Sequence, residues 1–153
     1  MNQSFHSGQS SVKLLGIIDE TPVNLTLIHS KISAGFPSPA IDFVEHDIDL
    51  NKILIKNKSS TFLGQVIGNS LMKIGIYDGD YIIIDRSLTP VNNDFVVCVI
   101  DGDFTTKRIQ IHNDCCWLYP ENDEYKPIKV TKDNEFTIWG VLTHSIRKLR
   151  CTR

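Results

Sequence analysis

The sequence lacks nearly every signature that announces a particular chemistry. Its four cysteines are Cys98, Cys115, Cys116 and Cys151, and none forms a C-x-x-C pair. That spacing suits neither a disulfide framework nor a structural zinc site. The histidines His6, His29, His46, His112 and His144 show no H-E-x-x-H or other close ligand spacing, so no metal is expected. No phosphate-binding or dinucleotide-binding glycine pattern is present, and no cofactor is expected. No G-x-S-x-G elbow marks a nucleophile. No apolar run reaches the length of a membrane span. Met1 to Ser11 has neither a positive start nor an apolar stretch, so it does not read as a secretion signal. Positive charge is not in excess either. Lys+Arg is 16 against Asp+Glu 18, a net charge of -2, which excludes a general grip on nucleic-acid phosphates. What remains is a chain of 153 residues, 41% hydrophobic, large enough for one core and expected in the cytoplasm.

The first 42 residues differ in texture from the rest and read as an N-terminal arm. Met1 to Ser11 is polar and serine-rich, too poor in apolar surface to offset the entropy of ordering. Val12 to Ile18 and Val23 to Ile28 are short apolar runs split by Asp19-Glu20-Thr21-Pro22, and either suits a short docking strand. Ser33-Ala34-Gly35-Phe36-Pro37-Ser38-Pro39-Ala40 follows, where the two prolines favour an extended path. Residues 43–153 read as a mainly β domain. Asp47 to Lys56 fits a short amphipathic helix with Leu50, Ile53 and Leu54 on one face and Asp47 or Asp49 as cap. Strands are expected over Thr61 to Ile67, Tyr81 to Ile84, Phe95 to Ile100, Phe104 to Ile111, Cys115 to Tyr119, Ile128 to Val130 and Phe136 to Ile146. Asp101-Gly102-Asp103, between two β-rich runs, is a hairpin signal.

Three features carry candidate chemistry. In the expected strand Phe104 to His112, Thr105, Lys107, Ile109 and Ile111 share one face, and Thr106, Arg108, Gln110 and His112 share the other, which reads as the wet one. Lys107 then points inward with two isoleucines. Burial lowers an ammonium's pKa, and a neutral lysine is a competent general base. The competing readings are a lysine that snorkels at a strand edge and a register that slips past a bulge. Ser70 follows a strand and a glycine in Gly68-Asn69-Ser70. It is either a simple cap or a hydroxyl exposed beside main-chain N–H groups able to hold an oxyanion. Ala34-Gly35 offers small side chains on both sides of a bond in an extended segment, as a protease substrate requires. It is equally compatible with a plain linker. Cys98, Cys115 and Cys116 read as buried or half-buried strand cysteines.

Taken in order, these segments resemble the UmuD members of the LexA/UmuD self-cleaving serine peptidase family. The matches are Gly35-Phe36-Pro37-Ser38-Pro39-Ala40, Ile48-Asp49-Leu50-Asn51, Gly68-Asn69-Ser70, Gly75-Ile76, Asp78-Gly79-Asp80, Asp101-Gly102-Asp103-Phe104-Thr105 with Lys107, Tyr119-Pro120-Glu121-Asn122 and Trp139-Gly140-Val141. They cover about residues 35–150. The resemblance implies the family's peptidase-like β domain and a Ser-Lys dyad, with Ser70 as nucleophile and Lys107 as general base. It implies cleavage between Ala34 and Gly35, with main-chain amides near Asn69 and Ser70 holding the oxyanion. It implies a homodimer, activation by a RecA filament on single-stranded DNA, and a trimmed dimer that joins a UmuC-like Y-family polymerase in SOS mutagenesis, with no direct DNA binding and no membrane. The chain departs from the family's pattern in three places: Leu71 follows the serine where methionine is usual, Ala34 precedes the cut where UmuD typically has cysteine, and the arm before the cut is longer than in UmuD, with no counterpart for the Val12 to Ile28 runs. The competing readings are a LexA-type or phage-type repressor, a signal-peptidase-like enzyme acting on other proteins, and a β-rich binding module.

Overall fold

A computed structural model describes residues 11–17, 24–28, 45–113 and 115–149. Contacts divide the chain into two units, residues 1–18 with 57–153, and residues 19–56. The arm read from the sequence therefore contributes to both.

The smaller unit pairs β2 (Asn24–Ile28) with β3 (Glu45–Asp49) in antiparallel register, Leu25 opposite Ile48. A helix, α1 (Leu50–Leu54), follows directly, and Asp49 caps it by accepting from Asn51 N at 3.0 Å. The helix is shorter than expected. Asp47 and Ile48 lie in β3, opposite Thr26 and Leu25. A ladder to a distant strand outweighs a helical period of only a turn or two, because a short isolated helix has little stability of its own.

The larger unit is one mainly β sheet of eight strands. These are β1 (Ser11–Ile17), β4 (Thr61–Ile67), β5 (Tyr81–Asp85), β6 (Phe95–Ile100), β7 (Asp103–Ile111), β8 (Cys116–Tyr119), β9 (Ile128–Val130) and β10 (Phe136–Ile146), in the order β1-β4-β5-β10-β6-β7-β8-β9. The expected strands of residues 61–67, 95–100, 128–130 and 136–146 appear with those bounds. The Asp101-Gly102 turn joins β6 to β7. One half of the sheet buries Val96, Cys98, Ile109, Leu118 and Val141, while the other buries Val66, Leu71, Ile82, Ile84 and Val97. Central strand β6 thus feeds both cores with alternate residues, as a strand covered on both faces does. Each fully buried Ile or Leu is worth about 1.5–3 kcal/mol, so the two clusters hold the scaffold on which the β4–β5 and β6–β7 turns sit.

Candidate active site

Strand β4 runs straight into the segment that carries Ser70. Gly68 ends it at φ +93, a left-handed conformation that favours glycine. The Asp78-Gly79-Asp80 turn secures that end. Asp78 Oδ1 accepts from Gly68 N at 2.7 Å, Gly79 N donates to Val66 O at 2.9 Å, and Val66 N donates to Asp80 O at 2.9 Å. Asp80 is itself pinned. It accepts from Tyr77 N at 2.9 Å and pairs with Arg147, whose hydrogen bond holds the Asp80 carboxyl below the ordinary carboxylate pKa. Ser70 emerges 2% exposed, followed by Leu71, 1% exposed, which roots the turn in the core.

A second segment clamps the serine turn from the other side. Glu121 N donates to Ser70 O at 2.7 Å, and Lys73 N donates to Glu121 O at 3.0 Å. Asn122 Nδ2 donates to Asn69 O at 3.1 Å, and the Tyr125 hydroxyl donates to Asn69 Oδ1 at 2.9 Å. Glu121 also pairs with Arg108, whose guanidinium lies over the Tyr119 ring, 5.3 Å from its centroid. Arg108 directly follows Lys107, so one short segment ties the serine turn to the lysine strand. Across a trans peptide the C=O and the next N–H point in opposite directions. With the Asn69 and Ser70 carbonyls held towards Asn122 and Glu121, the N–H groups of Ser70 and Leu71 face away from them.

Lys107 comes from the middle of β7, opposite Val96 of β6. It is 6% exposed, and its Nζ donates to Thr105 Oγ1 at 2.6 Å and to Thr106 O at 3.2 Å. The pairing of β7 with β8 ends at Arg108 opposite Tyr119. Ser70 Oγ reaches the same Thr106 oxygen at 3.4 Å. Ser70 and Lys107 are therefore brought together on one acceptor. Burial is the main influence on Lys107 and lowers its pKa from the ordinary 10.5; the Cys98 sulfur acts in the opposite sense. Cys98 lies opposite Thr105, and burial pushes its thiol up to about 12.

The strand alternation needs two corrections. Thr106, on the face expected to be wet, is 2% exposed, while Ile111, expected inside, is 42% exposed. Thr106 lies where the Ser70 turn approaches β7, whereas Ile111 sits at the strand's end, beyond the buried run. The clamping role of Glu121, Asn122 and Tyr125 was missed. Tyr119-Pro120-Glu121-Asn122 stood out as a motif, but nothing local in it points to Asn69. Ala34 and Gly35 lie outside the described residues. Cys98 is buried, and Cys115 and Cys116 are half-buried, as expected of strand cysteines. Among the described residues no three His, Cys, Asp or Glu side chains converge to hold a metal. No described helix is long and apolar enough to cross a membrane.

Ser70 and Lys107 are thus both buried, and each has a hydrogen bond to the Thr106 main-chain oxygen. A family model described as Peptidase S24-like matches residues 26–143. The chain belongs to this family, whose members are serine peptidases of the self-cleaving kind. It is 36% identical over 141 residues to Protein SamA of Salmonella typhimurium, covering 91% of this chain and 98% of that protein. It is 38% identical over 117 residues to Protein MucA of Escherichia coli, covering 76% and 80%. To the LexA repressor of Actinobacillus pleuropneumoniae it is 37% identical over 146 residues, covering 92% of this chain and 69% of the repressor. These relatives place it on the UmuD-like side of the family.

Proposed function

We propose that this chain is a UmuD-like protein of SOS mutagenesis that cuts itself between Ala34 and Gly35. The observation that supports this reading best is the shared contact of Ser70 Oγ and Lys107 Nζ with Thr106 O, at 3.4 and 3.2 Å. Neutral Lys107 takes the Ser70 proton, and Oγ adds to the Ala34 carbonyl. Main-chain N–H groups at Asn69 and Ser70 hold the oxyanion. Collapse of the adduct breaks the Ala34–Gly35 bond. Lys107 returns the proton to the Gly35 amine and leaves an Ala34 ester on Ser70. Water, deprotonated by Lys107, then hydrolyses the ester, leaving a carboxylate on Ala34 and regenerating the Ser70 hydroxyl.

In this reading a RecA filament on single-stranded DNA favours the cleavable state. Residues 35–153 then act as a cytoplasmic homodimer, an accessory subunit of a UmuC-like Y-family polymerase. The net charge of -2 agrees with a protein that meets DNA through partners. The test is mass spectrometry of the purified chain after incubation at alkaline pH, and separately with RecA, ATP and single-stranded DNA. Fragments 1–34 and 35–153 are expected. An intact chain under both conditions would end this reading.

A further inference from the structure

Strand β1 belongs to the arm, yet it is an outer strand of the eight-stranded sheet. It pairs antiparallel with β4 from Ser11 opposite Ile67 to Ile17 opposite Phe62. It also approaches β7, the strand of Lys107. Two glycines, one on each strand, adapt the pair to each other. In β1 the register shifts between Leu14 and Gly16, so Leu15 is an extra residue, and Gly16 sits at φ +140, where a side chain would be strained. In β4, Gly64 leaves a notch. A Cβ there would lie 2.7 Å from Val12 Cγ1 and 3.2 Å from Ile84 Cδ1. Val12, stiff because it is β-branched, fills that notch. It packs on the cluster of Val66, Leu71, Ile82 and Ile84, in which Leu71 is the residue after Ser70.

The chain between β1 and β4 includes all of the smaller unit. No short hairpin forces β1 onto β4, so its seat is specified by the two strands themselves. Such a seat holds whether or not the chain between them is intact. We propose that the β4 edge is a strand-binding site whose ligand is the 11–17 segment. An arm severed after Ala34 then stays in place as a non-covalent strand. This consequence rests on the cleavage reading above. Cleavage and arm departure become two steps, and only the second uncovers the β4 edge, which as an open edge is able to pair with another extended chain.

The test uses the full chain carrying Lys13→Pro and Leu14→Pro. Of two consecutive strand residues one N–H faces the neighbour, so the pair of prolines unseats the chain's own β1. A fluorescent peptide of residues 8–20 is titrated onto it by anisotropy. Saturable binding is expected, and it should weaken at least about tenfold when the peptide carries Val12→Asp. No saturable binding, or equal binding of the two peptides, would overturn the proposal. Should the proline variant fail to fold, hydrogen exchange on the unaltered chain decides. Amides of residues 12–16 protected like those of β4 support the seat, and exchange at the rate of an unstructured chain overturns it. Neither measurement contains a cleavage step, so self-cleavage succeeds or fails independently of both.

Discussion

Ser70 and Lys107 meet on a single acceptor, the main-chain oxygen of Thr106, which takes the serine hydroxyl at 3.4 Å and the lysine Nζ at 3.2 Å. A main-chain oxygen between two side chains fixes both without adding a charge. Burial lowers the pKa of the lysine, and the Thr105 hydroxyl holds its Nζ at 2.6 Å.

In the proposed mechanism nucleophile and base act as a unit, so Ser70→Ala and Lys107→Ala should each stop self-cleavage, slowing it by ~10³-fold or more. Mass spectrometry over a time course checks this. A Ser70→Ala chain that still yields the fragment 35–153 would assign the chemistry elsewhere.

Cleavage should quicken as pH rises, with a midpoint below the ordinary lysine value of 10.5, because burial lowers the pKa of Lys107. Stability should follow the same group. Between the lowered folded value and 10.5 the unfolded chain binds the extra proton, so stability rises with pH across that window and levels off above it. Lys107→Met should remove that rise and melt above the wild type at neutral pH. Thermal melts of both proteins from pH 7 to 11 measure the difference, which should shrink as pH increases.

Tyr125→Phe deletes the hydroxyl that holds Asn69 Oδ1 at 2.9 Å. A hydrogen bond of this kind is worth about 1 kcal/mol, so cleavage should slow by roughly fivefold. The pH midpoint should stay unchanged, because the group positions the serine turn and does not touch Lys107. Rates at several pH values separate the two effects, and a shifted midpoint would contradict the clamp.

Gly140→Ala should destabilise the sheet by about 1–3 kcal/mol. A Cβ at Gly140 would stand 2.6 Å from Ile84 Cγ2 and 3.2 Å from the Asp85 carbonyl oxygen. The neighbouring Trp139 sits where the register between β10 and β6 shifts, packing edge-on to Phe62 with centroids 5.1 Å apart. That leaves the backbone little room to retreat. Urea unfolding gives the value, and no loss of stability would show that it does retreat.

Much of the fold was legible in the order of residues. Period-two runs bounded by Asp-Gly and Pro-Glu-Asn turns marked most strands of the larger unit, because alternation and turn chemistry are local properties. The helix over Asp47 to Lys56 was overread, since Asp47 and Ile48 answer to β2 and not to their own period. Lys107 stood out because an ammonium between Thr105 and Ile109 contradicts its neighbours. Thr106 was misplaced because burial on the second face comes from the Ser70 turn, a segment distant in sequence.

The sequence by itself determined most strands of the larger unit, the inward lysine and the glycine that ends β4, each a matter of local geometry and side-chain type. Only the tertiary structure decided that Ser70 reaches Thr106, that Asn122 and Tyr125 hold Asn69, and that Val12 fits the notch at Gly64. Those contacts depend on where the sheet's strand order brings distant segments. No local pattern encodes that order, because it is selected by the burial of two cores at once.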